Sequence, residues 1–137
     1  MSFPHITSVT AGLLLLIQMG LALSVSGNRD KADTWVGEGG DATLLRTTRR
    51  HANLAENAGF FVVGFALLEL SRLGPRLLLA LCGAFVIARL FHAAGLSRQN
   101  TKNPLRLIGG LGTYLIGFVL AGALVWAGLG GSGGVQP

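Results

Sequence analysis

The sequence predicts an all-α, integral membrane four-helix bundle, and three observations predict it. Half of the 137 residues are hydrophobic and only 12% are charged, against about 25% in an ordinary soluble domain. Several stretches of about twenty residues are nearly free of charge, the length a helix needs to cross a hydrocarbon core of about 30 Å. The eleven lysines and arginines are also spread so unevenly that they assign a side to every loop. A chain of this length makes one domain. The net charge of +5 does not point to nucleic acid, because no soluble body stands behind the basic residues. The single cysteine, Cys82, forms no internal disulfide. With no C-x-x-C pair and no Cys/His cluster, no metal is expected.

The first helix is expected over residues 6–26, because Ile6–Val25 holds no charge and nothing more polar than Gln18. The preceding Met-Ser-Phe-Pro-His has no Lys or Arg, and the apolar core is longer than a signal peptide requires. A retained membrane helix is therefore expected. The second helix, over 46–71, is unusual. Its apolar stretch Ala58–Leu68 is too short alone, so the span extends back through Arg49, Arg50, His51, Asn53, Glu56 and Asn57. The third, over 76–96, is apolar except for Arg89 and His92. The fourth, over 104–130, opens on Asn103-Pro104-Leu105-Arg106 and is uncharged from Leu107 onward. Proline suits the first turn of a helix.

Nine of the eleven basic residues, Arg29, Lys31, Arg46, Arg49, Arg50, Arg89, Arg98, Lys102 and Arg106, fall on the side of the loops joining helices one to two and three to four. Only Arg72 and Arg76 fall on the other side, and neither terminus carries one. Both basic loops are therefore expected in the cytoplasm and both termini outside. No internal repeat suggests a transporter of inverted halves.

Ionisable groups at membrane depth cost about 2.5–3.5 kcal/mol each and so face a bundle interior or a wet cavity. Helix two concentrates them. At 100° per residue, Arg46, Arg49, Arg50, Asn53 and Asn57 share about one third of its circumference, with Glu56 at the edge and His51 opposite. Arg49, Asn53 and Glu56 lie along one stripe. One glutamate cannot neutralise Arg46, Arg49, Arg50, Arg89 and Arg106, so an anionic ligand or carboxylates from another subunit would balance the site. The surplus favours a polar ligand site over a purely structural ion pair. Arg106 adds a full charge to a helix N-terminus that already favours anions. Gly37-Glu38-Gly39-Gly40-Asp41 is a glycine turn and not a phosphate loop, since no Gly-Lys-Ser/Thr follows. His51 and His92 have no C-x-x-C-H motif beside them, which argues against haem. A proton-coupled exporter would need a carboxylate on helix one, which has none in Ile6–Val25.

Taken in order, Gly37-Glu-Gly-Gly-Asp41, Leu45 and Arg49-Arg-His-Ala-Asn53-Leu-Ala-Glu56, followed by Ala88-Arg89-Leu-Phe-His92-Ala-Ala-Gly95, resemble the MAPEG family (membrane-associated proteins in eicosanoid and glutathione metabolism). The resemblance covers nearly the whole chain and is nearest the bacterial branch. It implies a homotrimer, in the inner membrane of a bacterium, that binds glutathione between subunits near the cytoplasmic face. It further implies that Arg29, Arg49, Asn53, Glu56, Arg89 and His92 hold the tripeptide. Arg106 would stabilise its thiolate, and a hydrophobic small-molecule substrate would reach the sulfur from the lipid. Glutathione, a co-substrate with two carboxylates and one ammonium, suits several arginines and one glutamate. A thiol of pKa about 8.5 is only about 3% thiolate at pH 7, and lowering that pKa by about two units takes about 2.7 kcal/mol. One arginine at a helix N-terminus is of the right order.

The nucleophile expected is glutathione rather than Cys82, which lies in an apolar run. Leu96 and Asn57 stand where glutathione-using members often carry aromatic residues. Tyr114, the only tyrosine, faces either the site or lipid. The reading that follows is a glutathione-dependent transferase or peroxidase. A non-catalytic member of the fold that binds an anionic lipid or ligand is the alternative.

Overall fold

The computed structural model is all-α and describes residues 3–72, 74–96 and 103–130. Four helices follow one another: α1 His5–Lys31, α2 Ala42–Leu70, α3 Pro75–Leu96 and α4 Pro104–Gly128. Each is long and apolar enough to cross a membrane. Arg98 and Lys102, counted above among the basic loop residues, lie outside the described residues.

Two of the helix ends differ from expectation by more than two residues, and polar side chains explain both. Helix α1 runs on to Lys31 instead of ending at 26. Asn28 Nδ2 in that extension donates to Ser24 O at 2.9 Å and to Thr47 Oγ1 of α2 at 3.2 Å, so the extra turn packs instead of fraying. Helix α2 begins at Ala42 instead of 46. Asp41 Oδ1 accepts from the backbone N–H groups of Thr43 and Leu44, both at 2.7 Å, which satisfies two donors that a helix start leaves open. The three glycines ahead of Asp41 all have positive φ, so this segment is a turn that delivers a helix cap.

Helix α3 packs most closely on α4 and α1 on α2, while α1 and α4 do not meet among the described residues. Aromatic rings fill the centre. Phe61 stacks on Phe85 with centroids 4.0 Å apart, and Phe65 meets Phe85 edge-on at 5.8 Å. Phe65 and Phe85 are fully buried. Glycine sets the α3–α4 distance: a Cβ on Gly109 would lie 2.5 Å from His92 N and 2.6 Å from Ala88 O. Small residues serve this purpose where lipid supplies no hydrophobic drive to hold helices together. Outward faces stay strongly apolar, with Phe60, Phe118 and Leu23 each more than 70% exposed. Surfaces of that kind suit lipid or a neighbouring subunit and not water.

At the opposite end of the bundle from the α1–α2 turn, Glu69 clasps α2 to α1. Pro4 supplies no side-chain cap to α1. Instead, the Glu69 carboxylate accepts from the backbone N–H groups of Ile6 at 2.9 Å and Thr7 at 2.8 Å, more than sixty residues away. The negative charge also meets the positive end of the α1 dipole. Glu69→Gln keeps the shape and loses the charge, so it should cost about 1–2 kcal/mol of stability. Thermal unfolding in detergent checks this. A melting temperature equal to wild type would show that the clasp contributes nothing.

Candidate functional site

Where α1 and α3 end and α2 and α4 begin, the three helices α2, α3 and α4 enclose a cavity of about 480 Å³, within the usual range of about 300–1,000 Å³ for small-molecule sites. Helix α2 contributes Leu45, Arg46, Arg49, Ala52, Asn53 and Glu56, one face of about three turns. Helix α3 contributes His92 and Leu96, and α4 contributes Arg106. Three arginines face one glutamate, so the cavity favours an anion. Arg49 and Glu56 are seven residues apart, about 10 Å along the axis. They form no ion pair with each other, although both line the space.

Arg106 owes its place to the start of α4. Asn103 is buried and its Oδ1 accepts from Leu105 N–H at 2.9 Å, Pro104 takes the first helical position, and Arg106 N–H bonds Asn103 O at 3.1 Å. Gly95 of α3 passes directly against this turn. A Cβ there would sit 2.4 Å from Arg106 N and 2.7 Å from its Cα. The guanidinium is thus carried on a backbone held from two sides.

On the other face of the same wall lies a groove of about 650 Å³ lined by His92, Asn103, Arg106, Leu107, Leu111 and Tyr114 among others. Tyr114, left open between site and lipid by the sequence, lines this groove. His92 and Arg106 border both spaces. One polar cavity and one largely apolar groove therefore meet at one arginine.

Arg89 does not line the cavity. It is 4% exposed and lies behind Asn53. Its Nη1 donates to Asn53 Oδ1 at 2.9 Å, and its Nη2 donates to Gly109 O at 3.3 Å and to Thr113 Oγ1. The guanidinium carbon stands 5.7 Å from the Phe85 ring centroid, within cation–π range. All these partners are neutral. Arg29 also lies away from the cavity, and its Nη1 donates to Thr34 O, Trp35 O and Gly37 O at 3.4, 2.9 and 3.1 Å. It builds the α1–α2 turn.

Of the expected site residues, the cavity gathers Arg49, Asn53, Glu56, His92 and Arg106 and leaves out Arg29 and Arg89. Arg50 and Asn57 share the polar stripe and do not line the space; Asn57 Nδ2 bonds back to Asn53 O at 2.8 Å. Arg46, outside the expected ligand set, is a lining residue. The periodicity of α2 carries that signal, since Arg46 precedes Arg49 by three residues on the same face. Thr113 and Gly109 have no such signal within α4 alone. Cys82 is buried in the bundle and belongs to neither space described here.

A model of the MAPEG family matches residues 7–126 of the chain. No curated protein and no solved structure matches it.

Proposed function

Because the chain belongs to the MAPEG family, and is thereby an integral membrane protein, we propose that it is a glutathione-dependent transferase or peroxidase acting on hydrophobic electrophiles dissolved in the bilayer. The observation that carries this reading is the shared border: Arg106 and His92 line both a cationic cavity and the apolar groove beside it. The cavity suits the tripeptide and the groove suits an apolar co-substrate.

In this reading Arg46, Arg49 and Asn53 take the glutathione carboxylates and Glu56 takes its ammonium, by charge-assisted hydrogen bonds. The tripeptide sulfur then lies toward Arg106. The guanidinium and the α4 N-terminus favour the thiolate over the thiol, and the proton leaves to cavity water. For transfer, the sulfur lone pair forms a C–S bond while the leaving group departs with its bonding pair. Orientation by the cavity supplies the rest, since holding two reactants together removes much of the entropic barrier. The assembly proposed is a homotrimer, with Arg29, distant from this chain's own cavity, acting across a subunit boundary. The membrane proposed is a bacterial inner membrane, with the cavity end of the bundle in the cytoplasm.

The test is turnover of a hydrophobic aryl chloride with glutathione by protein in lipid vesicles. The expected result is chloride and thioether released in equal amounts, saturating in glutathione. Arg49→Ala should raise KM for glutathione about tenfold or more while changing kcat less, the loss expected for a charge-assisted contact of about 1.5–3 kcal/mol. Thioether formation no faster than without protein contradicts the enzyme reading. A second reading, a non-catalytic member binding an anionic lipid or ligand, is favoured by one observation: Leu96 lines the cavity where a phenol hydroxyl would give a further polar contact.

A further inference from the structure

Among the described residues Arg89 is the one buried side chain that carries a formal charge, at 4% exposed. A guanidinium at membrane depth carries a penalty unless its donors are matched. Here it is buried about seven residues, or some 10 Å, inside the end of α3. Its partners are three neutral oxygens from two other helices, Asn53 Oδ1 of α2 with Gly109 O and Thr113 Oγ1 of α4. No carboxylate approaches to balance it among the described residues. The arrangement pins α2 to the α3–α4 pair at the back wall of the cavity.

From this we infer that Arg89 is a positioning residue which fixes the side-chain amide of Asn53 so that Nδ2 faces the cavity as a hydrogen-bond donor. Chemistry alone decides the orientation. A guanidinium has five donors and no acceptor, so only the amide oxygen can meet it. A carboxamide that turns its oxygen to the protein must turn its NH₂ the other way, and Asn53 lines the cavity. Nδ2 makes no hydrogen bond within the described residues. Thr113 contributes from behind: its hydroxyl accepts from Arg89 and donates to Gly109 O at 2.8 Å, so its single proton is already committed.

The consequence concerns ligand polarity. With Asn53 held as a donor beside Arg46 and Arg49, the outer part of the α2 stripe offers only donors, and Glu56 one turn further in offers the acceptor. A ligand group lying against Asn53 is therefore a carboxylate or carbonyl oxygen and not an ammonium or hydroxyl donor. Arg89 selects that polarity without touching the ligand. This rests on the reading of the cavity as a glutathione site.

Asn53→Asp, read beside Arg89→Met, separates orientation from simple support. The carboxylate keeps an oxygen on Arg89 and supplies the missing opposite charge, so full-length protein in detergent should melt at or above the wild-type temperature. The same change puts an acceptor oxygen where the donor was. Glutathione affinity by calorimetry should fall at least tenfold, and the diethyl ester of glutathione, which lacks the anionic oxygens, should lose much less. Because the new carboxylate repels any anion, orientation is read from Arg89→Met, which adds no charge and frees the Asn53 amide to turn. Glutathione affinity should fall severalfold there as well, whereas a residue that merely supports the fold would lower the melting temperature alone. Arg89→Met, Asn53→Leu and their combination give a second arm that needs no ligand: the melting shifts should fail to add, since each removes the same bond. Additive shifts overturn the link, as does Asn53→Asp binding glutathione like wild type or melting well below it. A wild-type protein that binds no glutathione, with melting shifts still non-additive, overturns the functional reading and leaves the link supported.

Discussion

Arg106→Ala is expected to lower conjugation turnover by about two to three orders of magnitude, or about 2.7–4 kcal/mol of transition-state stabilisation, while glutathione affinity falls only several-fold. The asymmetry follows from where Arg106 stands. Arg46, Arg49, Asn53 and Glu56 line the cavity along α2, where in the proposed function they hold the tripeptide by its charged ends, whereas Arg106 stands at the border with the apolar groove. Its charge matters most for sulfur, which is mostly protonated at neutral pH without help. Arg106→Lys keeps the charge and loses the planar fork, so it should fall between. Stopped-flow turnover beside calorimetric binding separates the two quantities. Equal losses in binding and turnover would make Arg106 a binding residue and remove it from the chemistry.

The second large effect is expected from a single methyl group. Gly109→Ala places a Cβ within 2.6 Å of two backbone atoms of α3, His92 N and Ala88 O. Backbone has no rotamer with which to yield. The α3–α4 pair must separate, and Arg89 loses its bond to Gly109 O. The cost should reach about 3 kcal/mol, the upper part of the usual range for overpacking. Gly95→Ala collides in the same way with Arg106 N and Cα and should lower turnover beyond its effect on melting, because it moves the residue proposed to stabilise the thiolate. Gly122→Ala, whose Cβ meets nothing within 4 Å in the chain, is the control and should melt like wild type. A Gly109→Ala protein with unchanged melting temperature would show that α3 and α4 do not approach so closely at Gly109.

These two predictions draw on different depths of information. Helix number and order follow from hydropathy, because a membrane demands about twenty apolar residues per crossing and leaves few alternatives. The cavity face of α2 follows from helical period, since residues three, four and seven apart must share a side; Arg49, Asn53 and Glu56 come out together for that reason. Arg89 is different. Its own helix states only that a cation is buried, and what it meets depends on Asn53, Gly109 and Thr113, residues 36, 20 and 24 positions away. No periodicity within one segment encodes that meeting. The same holds for Glu69, an ordinary helix-end glutamate in sequence, which caps α1 only because the bundle brings the ends together. Arg29 shows the converse: a basic residue placed by resemblance among ligand contacts is engaged by the carbonyls of its own turn.

Calorimetry on the detergent-solubilised full chain, with Arg49→Ala titrated alongside, tests most directly whether the cavity among α2, α3 and α4 binds glutathione. The prediction is saturable binding at millimolar affinity or tighter, about −4 kcal/mol or stronger, weakened at least tenfold in Arg49→Ala. Heats that show no saturation up to about 10 mM glutathione, or wild-type affinity in Arg49→Ala, would contradict it.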